Sequence, residues 1–172
     1  MVELIYRVVC NVTNEQMRGM EGFFQIKING NTYGEMYPRE LEGIMDKVSV
    51  YDWFERLLRV TKKLQEQTYI ILSDTESYNR WIEFIMNDED IVTVSIIKAE
   101  KIIGSQDIEY VCPDNKEYVE WDHQRISYVD LKEEIINKSS QYVEVLLNEN
   151  NNLMSTEIQK LIGLIVQLQS GK

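Results

Sequence analysis

Residues 23 to 33 leave this chain the least freedom. Phe24, Ile26 and Ile28 alternate with Phe23, Gln25 and Lys27, which is the two-residue period of a strand with one buried face. Asn29-Gly30-Asn31 follows at once, and Asn-Gly supplies the two positive φ angles of a type I′ turn. A return strand beginning at Thr32-Tyr33 is the consequence. Further on the period changes. Val50, Trp53, Phe54, Leu57, Val60, Thr61 and Leu64 share one broad helical face. Ser49 stands where a capping hydroxyl is needed, and Asp52 puts a carboxylate at the positive end of the helix dipole. A hairpin followed by an amphipathic helix points to an α+β fold, a mostly antiparallel sheet packed by amphipathic helices.

The remaining elements fit that class. Leu4–Val12, Thr68–Leu72 and Ile91–Ala99 are rich in β-branched and aromatic residues and read as strands. Thr13–Gly22 is polar and reads as a loop. Ser73-Asp74 followed by Tyr78, Trp81, Ile82 and Ile85 reads as a second helix, broken at Asn87-Asp88-Glu89-Asp90. Turns at Gly104-Ser105 and Cys112-Pro113-Asp114-Asn115 separate short strands at Ile108–Val111 and Glu117–Trp121. From Ser127 the pattern becomes helical. Tyr128, Leu131, Ile135, Tyr142, Val145 and Leu146 share a face, and a helix capped by Ser155 or Thr156 carries Ile158, Leu161, Ile162, Ile165 and Leu168. Residues 1–126 thus form the sheet part and 127–172 a C-terminal helical hairpin, packed on the same core or partly available to a second copy as a homodimer contact.

Composition limits the chemistry. The 172 residues are 44% hydrophobic, enough for a core without disulfides or metal. The first residues lack the basic and apolar regions of a signal peptide. The apolar run Leu161–Val166 is far shorter than the roughly 20 residues a membrane helix needs. These features point to a cytoplasmic protein without a membrane partner, in which Cys10 and Cys112 are buried thiols. A single histidine, His123, removes two-histidine metal motifs, and no nucleophile elbow, phosphate loop or dinucleotide fingerprint is present. Asp122 and His123, as strand neighbours, point to opposite faces and are poorly placed to act together. The reading is a non-enzyme with no catalytic residues, cofactor or metal.

Charge is the informative feature. The net charge is −11, which disfavours direct binding to nucleic acid phosphates. It is also uneven, since residues 67–126 hold five basic against thirteen acidic residues, a net of −8. The acids group as Asp88-Glu89-Asp90, Asp107 with Glu109, and Asp114, Glu117, Glu120 and Asp122, with Tyr110, Tyr118 and Trp121 interleaved with the last two groups. If these strands are neighbours, an acidic face edged with aromatic anchors results, suited to steering and holding a basic protein partner.

The run Phe23-Phe24-Gln25-Ile26-Lys27-Ile28-Asn29-Gly30-Asn31 with Tyr33-Gly34, followed by the helix near Val48–Glu66, resembles bacterial immunity proteins encoded beside polymorphic toxins. The resemblance covers about residues 20–100 and implies a non-enzymatic inhibitor of a cognate toxin domain. Two other readings stand beside it. One is an acidic mimic of nucleic acid that blocks a DNA-binding enzyme; the other is an enzyme or small-ligand module with a site at the sheet edge.

Overall fold

The computed structural model describes residues 1–10, 17–74, 76–88 and 90–171. In chain order its strands and helices are β1 (Val2–Val8), β2 (Glu21–Ile28), β3 (Asn31–Glu35), β4 (Val48–Ser49), α1 (Val50–Lys63), β5 (Tyr69–Ser73), β6 (Arg80–Asp88), β7 (Ile91–Lys98), β8 (Ile108–Glu109), β9 (Glu117–Tyr118), β10 (Gln124–Ser127), α2 (Tyr128–Glu149) and α3 (Thr156–Ser170). The fold is α+β with two antiparallel sheets, as the mixed periodicity implies.

The first sheet grows from the Asn-Gly hairpin. Ile28 pairs with Asn31, and Asn29 and Gly30 take φ values of 50° and 89°. β1 runs along the other side of β2 from Val2 opposite Ile28 to Val8 opposite Gly22. Gly22 is required there, because a Cβ would collide with the carbonyl oxygen of Arg7. The first strand ends before the expected Val12, which lies outside the described residues together with Thr13–Gln16. Of the expected loop, residues 17–20 turn the chain, while Glu21 and Gly22 already belong to β2.

The second sheet has the order β10–β7–β6–β5–β8, with β9 also on the outer side of β7. Here the expected second helix is instead β6, which pairs with β7 from Arg80 opposite Lys98 to Asp88 opposite Ile91. The physical reason is burial on both faces. Trp81, Ile82, Glu83 and Phe84 are all at most 2% exposed, and a run buried on both sides has neither a strand nor a helix period. Asp74 caps no helix; its Oδ1 accepts from the Glu76 amide at 2.8 Å to close a tight turn. Asn87 and Asp88 belong to β6, and Asp90 directly precedes β7. The expected strand at 117–121 shortens to β9, and β10 is a strand not anticipated from the sequence.

The helices cover one side of this arrangement. Ser49 caps α1, accepting from the Asp52 amide at 3.1 Å, while Ser127 and Ser155 cap α2 and α3. α1 packs on β2 and β5 and against both later helices, and α2 also lies on β1. Glu134 of α2 accepts the Leu4 amide at 2.7 Å, which covers an exposed strand edge. At the centre, the Phe54 ring meets Tyr6, Phe24 and Tyr142 at 5.0, 5.3 and 4.8 Å between centroids. The Tyr142 hydroxyl donates to the Gly19 carbonyl at 2.8 Å, which ties α2 to the turn before β2. One cluster of buried side chains extends from Leu4 to Leu168, so the C-terminal hairpin shares the core of the sheets. In α2 the buried stripe uses Val143, and Val145 is half-buried.

Trp53 stacks on Phe24 with centroids 5.4 Å apart and planes 3° from parallel, and it is 7% exposed. Trp53→Ala should lower unfolding free energy by about 3–5 kcal/mol in a urea titration. A loss below about 1 kcal/mol would contradict this assignment of the core.

Candidate binding face on the second sheet

The second sheet carries apolar side chains on both faces. Its inner face, with Ile70, Leu72, Ile82, Phe84, Val94 and Ile96, joins the main core. Its outer face forms a second, smaller cluster of Ile71, Trp81, Ile97 and Ala99 beside half-buried Tyr69. This outer face is covered by the loops 99–107 and 110–116. Trp81 anchors one of them, its Nε1 donating to the Ala99 carbonyl at 3.0 Å.

A charge lies beneath the other loop. Glu83, at the middle of β6, is fully buried. Its Oε1 accepts from Lys116 Nζ at 2.5 Å and from the Tyr69 hydroxyl at 2.8 Å. The ammonium also lies 5.5 Å from the Tyr69 ring centroid and 5.3 Å from that of Tyr118. A carboxylate without water is tolerable only when paired, and this cluster supplies the pairing. Burial alone would loosen the Lys116 proton, but the hydrogen bonds to Glu83 and Tyr118 and the Glu83 charge outweigh it and raise the pKa above the ordinary lysine value. Because the folded chain holds this proton more tightly than the unfolded one, the stabilisation is fully present at neutral pH. It fades only as pH rises through the raised folded value. Burial, followed by hydrogen bonding to Cys112 and Glu83, likewise pushes the Tyr69 hydroxyl far up.

Between the two loops is an open cavity of about 570 Å³. Ile71, Trp81 and Ala99 form its floor, Ile102, Ile103, Val111 and Pro113 its walls, and Glu100, Glu109 and Asp114 its rim. No lysine or arginine is among the lining residues. Ile103 is fully exposed, and Ile102 and Val111 are 72% and 75% exposed. Large aliphatic side chains bordering an apolar hollow with an acidic rim have the composition of a docking centre. The clue present in the sequence was Ile102-Ile103 next to a Gly-Ser turn, an apolar pair where turn residues belong.

The acidic residues singled out from the sequence do not form one face. β8 pairs with β5 rather than β7, so β5, β6 and β7 separate Asp107 and Glu109 from β9. Four strand spacings amount to about 19 Å. Glu109 and Asp114 border the cavity, whereas the Asp107 carboxylate turns to Arg56 of α1 at 3.3 Å. Glu117 and Tyr118 lie on the far margin, in β9. Glu120 pairs with Arg80. Asp90 is exposed just before β7, Asp88 ends β6, and Glu89 lies outside the described residues.

Trp121 is not an exposed anchor. It is 8% exposed within the main core, and its Nε1 donates to the Thr32 carbonyl at 3.3 Å. Three residues beyond Tyr118 along an extended segment, it faces the opposite side of the sheet. Asp122 and His123 differ from expectation in the other direction. His123 has φ 50° rather than strand geometry, and its Nδ1 comes within 3.4 Å of Asp122 Oδ2, both side chains being exposed. The thiols also differ, since Cys112 is exposed and Cys10 half-buried. Burial and the nearby Glu149 push the Cys10 thiol up to about 11.

Two further hollows were not anticipated. A cleft of about 450 Å³ borders the first sheet, where the Tyr33 hydroxyl donates to buried Asp74 and Arg80 meets Glu120. Both Asp74 oxygens are engaged, since Glu76 N donates to the other. A groove of about 520 Å³ is lined by Arg59, Lys62, Lys63 and Lys160 around Glu55. Among the described residues, no group of three or more His, Cys, Asp or Glu is placed to hold a metal ion, and no helix is long and apolar enough to cross a membrane. Comparisons of the chain with family models, curated proteins and solved structures found no match.

Lys116→Met should cost about 3 kcal/mol in chemical unfolding, because it strands the Glu83 charge. Adding Glu83→Gln should restore at least about half of that loss by removing the charge itself. A cost below about 0.5 kcal/mol for Lys116→Met would show that the pair does not hold the outer face.

Proposed function

We propose that this chain is an immunity-type binding protein that neutralises a basic protein partner, a cognate toxin domain, in the cytoplasm. One observation carries the reading: the cavity over Trp81 has an apolar floor, exposed aliphatic walls and an acidic rim without a lysine or arginine. The acidic excess of residues 67–126 would steer a cationic surface towards it, raising the association rate. Ile102, Ile103 and Val111 would then be desolvated against the partner, which is where residence time is set.

The division of the acids among separate margins of the sheet disfavours the nucleic-acid mimic, which needs a continuous array at phosphate spacing. A homodimer through α3 has less to support it. Ile158, Leu161, Ile165 and Leu168 of α3 are buried, and Val166 is the one large exposed apolar side chain of that helix.

The test immobilises the chain, isolates a retained protein and expresses it alone and together with the chain. A basic protein that arrests growth alone, with growth restored by co-expression, is the expected result. Ile103→Asp with Val111→Asp should weaken binding about a hundredfold by placing carboxylates in a desolvated contact. Reversing Glu100, Glu109 and Asp114 to lysine should slow association about tenfold at low salt, whereas reversing Glu117 and Asp122 on the far margin should change it less than about threefold. Retention of an acidic or harmless protein, or binding unchanged by the Ile103 and Val111 substitutions, would overturn the reading.

A further inference from the structure

The cluster around Glu83 has the architecture of a receptor for an alkylammonium group. Two tyrosine rings flank the Lys116 ammonium, and a fully buried carboxylate receives it. Rings at this distance favour a cation through their negative faces. Only one carboxylate oxygen is used, since the buried Glu83 Oε2 has no hydrogen-bond partner. An ammonium has three donors, so the site has more accepting capacity than Lys116 consumes.

The way Lys116 is delivered is equally informative. Residues 110–116 make no backbone–backbone hydrogen bond to the sheet they cross. At this end the loop runs into β9, where Glu117 pairs with Lys98, and within the loop the Lys116 side chain is the tie to Glu83; it is 21% exposed and so reachable from solvent. The cage also adjoins the cavity. Ile71, on the cavity floor, is the cross-strand neighbour of Glu83, and Asn115 on the cavity wall precedes Lys116.

We infer that Tyr69, Glu83 and Tyr118 form an ammonium-recognition site in which Lys116 holds the place of a lysine side chain from the partner. The arriving lysine displaces Lys116 and lifts the 110–116 loop from the sheet. That the displacing group comes from a protein rests on the proposed function; the cage itself does not. Exchange of one ammonium for another replaces like with like, so concentration decides it. Lys116 is tethered, with an effective concentration in the millimolar range. A dilute free amine cannot compete, whereas a lysine on a partner already docked at the cavity is itself effectively tethered. A primary ammonium is required, because a quaternary one has no N–H to donate to Glu83.

The probe is N-acetyl-lysine methylamide, titrated into the wild-type chain and Lys116→Ala and followed by shifts of the Tyr69 and Tyr118 ring resonances. Lys116→Ala should bind it saturably and at least tenfold tighter than the wild type. Lys116→Ala with Glu83→Gln should lose that binding, and tetramethylammonium should bind Lys116→Ala at least tenfold more weakly than the lysine analogue. Absence of saturable binding to Lys116→Ala, or equal binding to the double variant, overturns the proposal. If Lys116→Ala does not fold, the Tyr69 and Tyr118 ring resonances of the wild type provide the reading. They should shift in concentrated lysine analogue relative to potassium chloride of equal ionic strength, and equal spectra overturn the proposal. No partner is present in either experiment. A positive titration with no basic partner found therefore discards only the functional reading, and a basic partner with a negative titration discards only the cage.

Discussion

A carboxylate with no access to water lies at the middle of the second sheet, and the outer half of the molecule is arranged around it. Glu83 belongs to β6, which is paired on both sides and covered on both faces. A side chain in that position cannot reach solvent to be hydrated, so its partners must be brought to it. Tyr69 comes from the neighbouring strand and Lys116 from a loop some thirty residues later in the chain. The cover of the outer face is consequently specified by charge as well as by apolar packing. This arrangement differs from the inner face, where Ile82 and Phe84 of the same strand meet only the main core.

The placement of the helices explains why loops carry this task. α1, α2 and α3 pack on one another and against β1, β2 and β5, around Phe54 and Tyr142. The outer face of the second sheet keeps the segments 99–107 and 110–116. Covering an apolar sheet with loops leaves side chains such as Ile103 and Val111 in water and a hollow between them. A stable core on one side and an incompletely covered sheet on the other are thus two results of the same topology. The incompletely covered side is where a partner would gain most by docking.

Much of the fold could be read directly from the sequence, and for physical reasons. Asn29-Gly30 determines its hairpin through backbone sterics alone, and Ser49 with Asp52 starts α1 through local hydrogen bonding and charge. Residues 80–88 could not be read this way. Their side chains are buried by contacts with β5, β7 and the later loops, and long-range burial erases the alternation that marks a strand. The acidic face failed for a related reason. Neighbours in sequence are not neighbours in the sheet here, since β8 crosses back to β5 and carries Asp107 and Glu109 away from Glu117 and Asp122. Of the acidic residues the sequence singles out, Glu109 and Asp114 border the cavity. Lys116 gave no sign of its role, since one lysine among acids looks like solvent-facing balance until Glu83 is seen beneath it.

The most direct test of this account is the proton on Lys116. Lysine side chains carrying a carbon label at Cε can be titrated by NMR, with each resonance assigned by substitution. Lys116 should remain protonated through pH 10.5, the ordinary lysine value. A Lys116 midpoint at or below 10.5 would mean that its ammonium is not held by Glu83, and the outer face would then need a different explanation.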